Sequence, residues 1–411
     1  MKKTFHAFEL AQQQIADLDR QLLKRQLRVT ESPCDITATV DKRELKAFCS
    51  NDYLGLANHP KLVGAIQAGA LQYGVGSGAS HLISGHSIAH ELLEKKLAAF
   101  QSKHIPQARA LFFSTGYLAN LTAITGLSRL AKLGEASIYS ANLNHASIID
   151  GVRLASTQTK AMVTLFDHQH LDLLIESLKR DTHQLKLIVL DGVFSMDGDL
   201  APIQELVQIA HDFDALLLVD DAHGFGVLGQ HGHGILEMFN IHSERIIYIG
   251  TLGKAAGVSG AFICGSAPFI EWLIQKGRPY IYSTATPPAI AHTLLKSLEI
   301  IESDEGIARR RQLNQLIEIW RQEMNFSYWE KVASCTPIQP VILGSNANAL
   351  AASKLLDEAG YWIPAIRPPT VPTGSARLRI TFSANHSIKD LRALIKTLKL
   401  IEQQIEIKTS S

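Results

Sequence analysis

One lysine, Lys254, stands in the run Thr251-Leu252-Gly253-Lys254-Ala255-Ala256-Gly257, directly after the β-branched stretch Ile246, Ile247, Tyr248, Ile249. The apolar stretch reads as a buried strand, and the small residues around the lysine leave room for a planar ligand to approach the backbone. In a shielded, partly dry site a lysine pKa falls from about 10.4 toward neutrality, which makes the amine a nucleophile. Such a lysine forms a Schiff base with a carbonyl substrate or with pyridoxal 5′-phosphate (PLP). The protein signature of PLP is that lysine plus an acid for the pyridine nitrogen. A solvated loop lysine is the alternative, and the neighbouring loops decide between the two.

Four other strand candidates end in residues with matching chemistry. After ALFF (110–113) comes Ser114-Thr115-Gly116-Tyr117, a hydroxyl- and glycine-bearing turn into a helix whose N–H groups would cradle a phosphate. After SIYS (137–140) comes Asn144-His145-Ala146-Ser147, where His145 either stacks on an aromatic ring or only begins a helix. LKLIVL (185–190) runs into a polar loop that contributes Ser195, and ALLLVD (215–220) into Asp220-Asp221-Ala222-His223-Gly224. An acid at the end of a buried strand is costly unless it meets a cation, and a pyridinium nitrogen is such a cation. His223, three residues on, could reach a phenolic oxygen of the same ring, and Thr251 offers a second hydroxyl for phosphate. Together the five strand ends read as one PLP site.

These residues need a frame. Strand candidates alternating with helical patterns, through MVTLF (162–166) and AFIC (261–264) to about residue 285, imply an α/β fold with a mostly parallel, buried sheet that binds ligands beyond the carboxyl ends of its strands. Ahead of it, Phe8, Ile15, Leu18, Leu22 and Leu23 lie at helical spacing within Phe5–Leu27. After Pro287-Pro288 the texture changes to a long charged helix (289–324), PIQPVIL, a helix (347–359), the strand ARLRITF (376–382), and a last helix opening with the capping-box spacing Ser387-x-x-Asp390. Hence an N-terminal helical arm over 1–48, a large cofactor domain over 49–288 and a smaller α+β domain over 289–411.

Composition excludes several classes. With 411 residues, 46% of them hydrophobic, and a net charge of +1, the chain can build a large core but offers no bulk attraction to nucleic acid or an anionic membrane. No run reaches the ~18 apolar residues of a membrane helix and MKKTFHAFELAQQQ has no apolar signal core, so the expected location is cytoplasmic. Cys34, Cys49, Cys264 and Cys335 show no CxxC spacing and read as free, largely buried thiols. The pairs His168/His170 and His231/His233 lack a matching acid or cysteine pattern, so they read as solvated loop residues and no metal is expected.

The segments SNDYLGL (50–56), GSGASHLISG (76–85), NHAS (144–147), DGVFSMDGD (191–199), VDDAHG (219–224), TLGKAAG (251–257), YSTATPP (282–288) and RPPTVPTGSARLRIT (367–381) resemble the α-oxoamine synthases, PLP enzymes of fold type I, over nearly the whole chain. One departure is His81, where that family more often has arginine. The resemblance implies that Lys254 holds the cofactor, Asp220 pairs with its ring nitrogen, His223 contacts the ring oxygen and His145 stacks. It implies that Gly116, Tyr117, Ser195 and Thr251 bind cofactor, and that Ser283 and Thr284 reach the phosphate from the neighbouring subunit of a homodimer. RPPTVP resembles most the branch that joins L-alanine to a pimeloyl thioester, on coenzyme A or a carrier protein, in biotin synthesis. Asn51, Thr370, Arg379 and Arg25 would then contact substrate. Arg379 would take the amino-acid carboxylate with Arg377 as its fallback, and Arg25 or Arg28 the distal one. A glycine-using synthase such as 2-amino-3-oxobutyrate ligase, an aminotransferase or lyase of the same fold, and a non-catalytic subunit are the competing readings.

Overall fold

The computed structural model describes residues 6–410, and their side chains through residue 405. It divides into two compact units, one of Asn51–Ser195 with Asp199–Leu313, the other of Met1–Ser50, Met196–Gly198 and Asn314–Ser411.

The larger unit is built on a seven-stranded sheet in the order Ala108–Phe113, Ala261–Ser266, Ile246–Thr251, Ala215–Asp220, Leu185–Asp191, Ala136–Ala141, Met162–Phe166. Every candidate strand read from the sequence is present, most of them extended by one or two residues. All neighbours run parallel except at Ala261–Ser266, which is antiparallel to both strands beside it. Strands Ala136–Ala141, Ala215–Asp220 and Ala261–Ser266 are buried along their whole length, as a sheet covered on both faces requires. Helix Gly116–Leu127, buried from Ala119 onward except at Leu121, packs on helix Ala146–Thr159, and Gly151 makes the approach possible because a Cβ there would stand 2.9 Å from Ile124 Cδ1.

In the smaller unit Arg43–Ala47 is flanked by Thr37–Val40 (antiparallel) and Tyr361–Trp362 (parallel), while Glu330–Lys331, Ile338–Gly344, Ala376–Thr381 and Ala365–Ile366 form an antiparallel sheet in that order. The capping box forms as read, with Ser387 Oγ accepting from Asp390 N at 3.1 Å and Asp390 Oδ2 accepting from Ser387 N at 3.2 Å.

Four expectations change. The stretch before Ser50 is not a separate arm, because the Arg43–Ala47 strand pairs with Tyr361–Trp362 and Phe48 O accepts from Thr381 N. The domain boundary falls at Leu313/Asn314 rather than after Pro288. Helix Pro288–Glu302 packs on Pro60–Tyr73 and Ile88–Gln101, so closely that a Cβ at Gly69 would stand 3.1 Å from Ala289 Cα. The predicted single helix over 289–324 is two, broken at Ser303. The first helix runs only from His6 to Arg20 with none of its residues buried, and the chain leaves it through Leu22 at φ 57°; residue 5, where the sequence reading began it, lies outside the described residues.

The Lys254 turn is closed by Gly257 N donating to Lys254 O at 2.8 Å, with Gly257 at φ 69°. A Cβ on Gly257 would stand 2.5 Å from the carbonyl carbon of Leu56, in a loop that the Asp52 carboxylate holds through Leu56 N (2.8 Å) and Ala57 N (3.0 Å). Gly257→Ala is therefore expected to cost about 1–3 kcal/mol, through strain at positive φ plus overpacking. Gly360→Ala, at φ 88° with open space around it, should cost less, because it carries the strain alone. Urea denaturation followed by circular dichroism measures both.

Candidate active site

The site grows from the carboxyl ends of the parallel strands in the larger unit. Asp220 closes its strand at 4% exposure. Within the chain it meets an amide where a cation was expected, Asn120 Nδ2 donating to Oδ2 at 2.6 Å and Ala222 N to Oδ1 at 3.0 Å. Asn120 reaches it from helix Gly116–Leu127 and gives its second amide proton to Ser147 Oγ at 3.0 Å. Ser147 Oγ lies 2.7 Å from His145 Nδ1, so one network runs from Asp220 through Asn120 and Ser147 to the imidazole. His145 caps helix Ala146–Thr159, the second of its two sequence readings, and also belongs to this network.

The next acid, Asp191, is paired in register with Asp220 on the adjacent strand. Burial, reinforced by the Asp220 charge, pushes its carboxyl well above the ordinary range, against the pull of His145 N donating to Oδ2 at 2.6 Å. Asn144 ties the strand ends beneath, accepting from Asp191 N (3.0 Å) and donating to Ser140 Oγ (3.0 Å) and Val189 O (2.9 Å). Burial holds His145 below the usual histidine range, with Asp220 acting to raise it and Lys254 to lower it. Its imidazole is therefore neutral near pH 7.

Lys254 Nζ lies 2.9 Å from His223 Nε2, His223 Nδ1 lies 2.7 Å from the Tyr53 hydroxyl, and Tyr53 donates to Asn51 Oδ1 at 3.1 Å. The nucleophile is thus joined to a histidine, a phenol and an amide in line. Gly116 and Thr251 come together as read, since a Cβ on Gly116 would stand 2.8 Å from Thr251 Oγ1. Thr115 caps that helix by accepting from Leu118 N at 3.2 Å, and the first-turn N–H groups of Gly116 and Tyr117 have no intrahelical acceptor, which makes an anion seat. A buried acid, a nucleophilic amine, a neutral imidazole and an anion seat on a face left open by glycine are the donor set that PLP needs, so the residues fit the group.

Other residues fall differently. Ser195 sits in a loop secured by His168, which is 2% exposed, stacks on Phe194 at 3.8 Å and binds Asp199 Oδ2 at 2.7 Å. His168 is thus no solvated loop residue; nor is His233, also buried, and His231 binds Glu237 at 2.6 Å. Thr284 pairs with Ser80 of the same chain, beside Ser283 at the end of helix Arg278–Tyr282. His81, in place of the family's arginine, stacks on Tyr280 at 4.7 Å, and burial pushes its pKa down to about 3. In the smaller unit Arg377 is not a spare carboxylate ligand, because it is paired with Asp197 at 2.6 Å, while Arg379 two residues on is buried. Arg28 is held by Asp41 (2.8 Å) and Asp357 (2.7 Å), whereas Arg25 reaches Thr370 Oγ1 at 3.4 Å. The cysteines are less buried than expected: Cys34 and Cys335 are exposed, Cys49 is half-buried and Cys264 is buried. Among the described residues His86, Glu91 and Glu94 bring ligand atoms within 4.8 Å, but Glu91 is paired with Lys95 and Glu94 accepts from Phe112 N. Sequence reading missed the roles of Asn120, Tyr53 and Ser147. An amide one helical turn beyond Gly116 was the available signal for the first of them.

Comparison with known proteins gives the family and the fold. The family described as aminotransferase class I and II matches residues 44–398. An 8-amino-7-oxononanoate synthase of Janthinobacterium sp. (strain Marseille) is 52% identical over 393 residues, covering 96% of this chain and 98% of that protein. The crystal structure of 8-amino-7-oxononanoate synthase from Francisella tularensis superposes with a TM-score of 0.72 at 30% identity, over 89% of this chain and 99% of that one. A structure of SPT with PLP gives a TM-score of 0.85 at 26% identity, over 97% and 98% of the two chains.

Asn120→Ala would leave the Asp220 carboxylate short of a partner at a cost of about 1–3 kcal/mol, so PLP affinity should fall about tenfold, as read by cofactor absorbance after equilibrium dialysis. The depressed His145 pKa has a second consequence. As pH falls through the ordinary histidine value near 6.5, the unfolded chain takes up a proton that the folded site refuses, so stability is lost toward acid. In the cofactor-free protein His145→Asn should flatten that part of the melting temperature profile between pH 7.5 and 5; an unchanged slope would reassign the loss to other histidines.

Proposed function

The chain belongs to the class I and II aminotransferase family, a PLP-dependent fold type I enzyme, and from that premise we propose that it condenses L-alanine with a pimeloyl thioester to give 8-amino-7-oxononanoate, CO2 and the free thiol, a step of biotin synthesis. The similarity to 8-amino-7-oxononanoate synthases, at 52% identity across 96% of the chain, carries the choice of substrates. PLP, when bound, supplies the electron sink that acidifies the amino-acid Cα–H.

The chain's own residues do the rest. Lys254 Nζ is the attachment point for the cofactor and, once released, the base that takes the Cα proton. His223, 2.9 Å away and steadied by Tyr53, shares a proton with that amine and keeps its lone pair in use. Asp220, oriented by Asn120 and the Ala222 N–H, sets a fixed negative charge where the pyridine nitrogen needs to stay protonated. His145, neutral and buried, covers the ring face and can donate a hydrogen bond to a thioester or keto oxygen. The anion seat at Gly116, Tyr117 and Thr251 takes the phosphate, assisted by Ser195, with Ser283 and Thr284 supplied from a second copy. Asn51, Thr370 and Arg25 contact substrate, and Arg379 takes the alanine carboxylate as an arginine fork does.

A homodimer is part of the proposal. Leu71, Val75, Ile83 and Tyr282 are between 70% and 91% exposed, in segments that flank the Ser80–Thr284 bridge. Apolar exposure of this kind marks a surface that another protein covers. A cytoplasmic location accords with the absence, among the described residues, of any helix long and apolar enough to cross a membrane.

Product analysis with L-alanine and glycine against pimeloyl and acetyl thioesters tests the reading. The pair L-alanine and pimeloyl thioester should give the highest turnover, and Lys254→Ala should lower it by at least about a hundredfold, the lower end of what a positioned general base supplies. Glycine with acetyl-coenzyme A as the best pair would overturn the substrate assignment and leave the family intact.

A further inference from the structure

Lys254, His223, Tyr53 and Asn51 form one chain of contacts inside the larger unit, and the places of its protons follow from which atoms can donate. The Tyr53 hydroxyl has a single proton, and it goes to Asn51 Oδ1, an atom that only accepts. Tyr53 Oη therefore accepts from its other neighbour, so the His223 proton sits on Nδ1, 2.7 Å away. Nε2 is left as a lone pair, and it faces Lys254 Nζ at 2.9 Å. Both rings are shielded from water, Tyr53 at 0% exposure and His223 at 6%.

The loop that carries Tyr53 is pinned on either side of it. Tyr53 N donates to Asn51 O at 2.8 Å, and the Asp52 carboxylate accepts from Leu56 N and Ala57 N. Arg309 donates to Leu54 O at 2.8 Å while its other nitrogens hold Glu305. Gly257 of the lysine turn lies against Leu56 with no room for a Cβ. The loop and the lysine turn are thus packed on each other, and the phenol is kept in line with His223. Phenylalanine would fill the same space, so packing alone gives no reason for the hydroxyl.

We infer that Tyr53 is a positioning residue for the amine: it accepts the Nδ1–H of His223 and so holds that imidazole in the tautomer whose Nε2 takes the proton Lys254 must lose to become a nucleophile. The assignment rests on the reading of Lys254 as the attachment point of PLP and the base for the Cα proton. The transfer balances within the chain. An ammonium N–H bond of Lys254 breaks and the His223 Nε2–H bond forms; the imidazolium then donates to Tyr53 Oη on one side and to the neutral amine on the other. A charged donor makes the stronger hydrogen bond, so the hydroxyl oxygen favours the imidazolium over the neutral ring. Without that oxygen His223 is free to carry its proton on Nε2, where it occupies the amine lone pair.

Tyr53→Phe removes the hydroxyl and little else. In the cofactor-free full-length chain, the pH at which Lys254 is half-reactive toward acetic anhydride, read by peptide mass mapping, should rise by about one unit, because the proton loses its acceptor and stays on the amine. The rate at which PLP attaches near pH 7, followed by absorbance, should then fall about tenfold with the final stoichiometry unchanged. His223→Asn keeps a donor facing Tyr53 but offers nothing to Lys254, so adding Tyr53→Phe to it should move the midpoint no further. A hydroxyl that only braced the loop would lower the Tm in both backgrounds and leave the midpoint in place. One measurement needs no Tyr53 variant: histidine-selective 15N NMR of the wild type at pH 8, assigned with His223→Asn, should show His223 protonated at Nδ1. An Nε2–H imidazole, an unchanged midpoint in Tyr53→Phe, or an undiminished further shift in the double variant overturns the role of Tyr53 and leaves the functional reading standing. Attachment of PLP to a lysine other than Lys254 overturns the reading of the site and this inference with it.

Discussion

Burying carboxylates at the ends of parallel strands is the constraint on which the larger unit depends. Asp191 and Asp220 are register partners on adjacent strands, and Asp221 follows immediately, with exposures of 3%, 4% and 0%. Three acids this close in a dry layer are tolerated only where donors converge or a proton stays on. Asp221 takes donors from Ile235 N (2.7 Å) and Tyr248 OH (2.8 Å), and burial still pushes its pKa up to about 7. Gly224 and Gly234 make room for it, since a Cβ at either would stand 2.0 Å from one of its oxygens. Burial and the Asp220 charge push the Asp191 carboxyl well above its ordinary range, and Asp220 is served by an amide. Asp220 is thus the acid whose network reaches furthest, through Asn120 to Ser147 and His145.

The sheet was legible because its strands are short apolar runs bounded by polar turns, a pattern that depends only on local sequence. Lys254, Asp220, His223 and His145 were legible for a related reason: each follows a strand end by a few residues, so topology alone brings them together. Asn120 and Tyr53 were not. Their roles depend on how a helix and a distant loop pack over the strand ends, which one sequence does not encode locally. His168 was misread because polar residues surround it in the chain, whereas Phe194 and Asp199, remote in sequence, bury it. The boundary at Pro288 failed similarly: a proline pair marks a helix start, and only packing shows which unit the helix joins.

The charged residues of the smaller unit show why type and spacing stop short of function there. Arg25, Arg28, Arg367, Arg377 and Arg379 are alike in sequence, yet two are spent on aspartates and one on main-chain carbonyls. Strand period placed Arg377 and Arg379 on one face but could not show that Asp197 had already claimed the first. Partner geometry, which type and spacing do not encode, is what assigns Arg28 and Arg377 to aspartates and Arg367 to main chain.

The single antiparallel strand, Ala261–Ser266, gives the nucleophile its footing. Parallel neighbours must be joined by long crossovers, but Ile246–Thr251 and Ala261–Ser266 are linked directly, so Lys254 lies in a hairpin connection whose ends are tied by Leu252 N to Gly260 O at 2.8 Å. A short loop closed at its neck has little conformational entropy to lose or gain. With its backbone fixed in this way, the reach of the Lys254 amine is set by its four methylenes. The fold thus gives its reactive group a stationary pivot in a sheet otherwise connected by long crossovers.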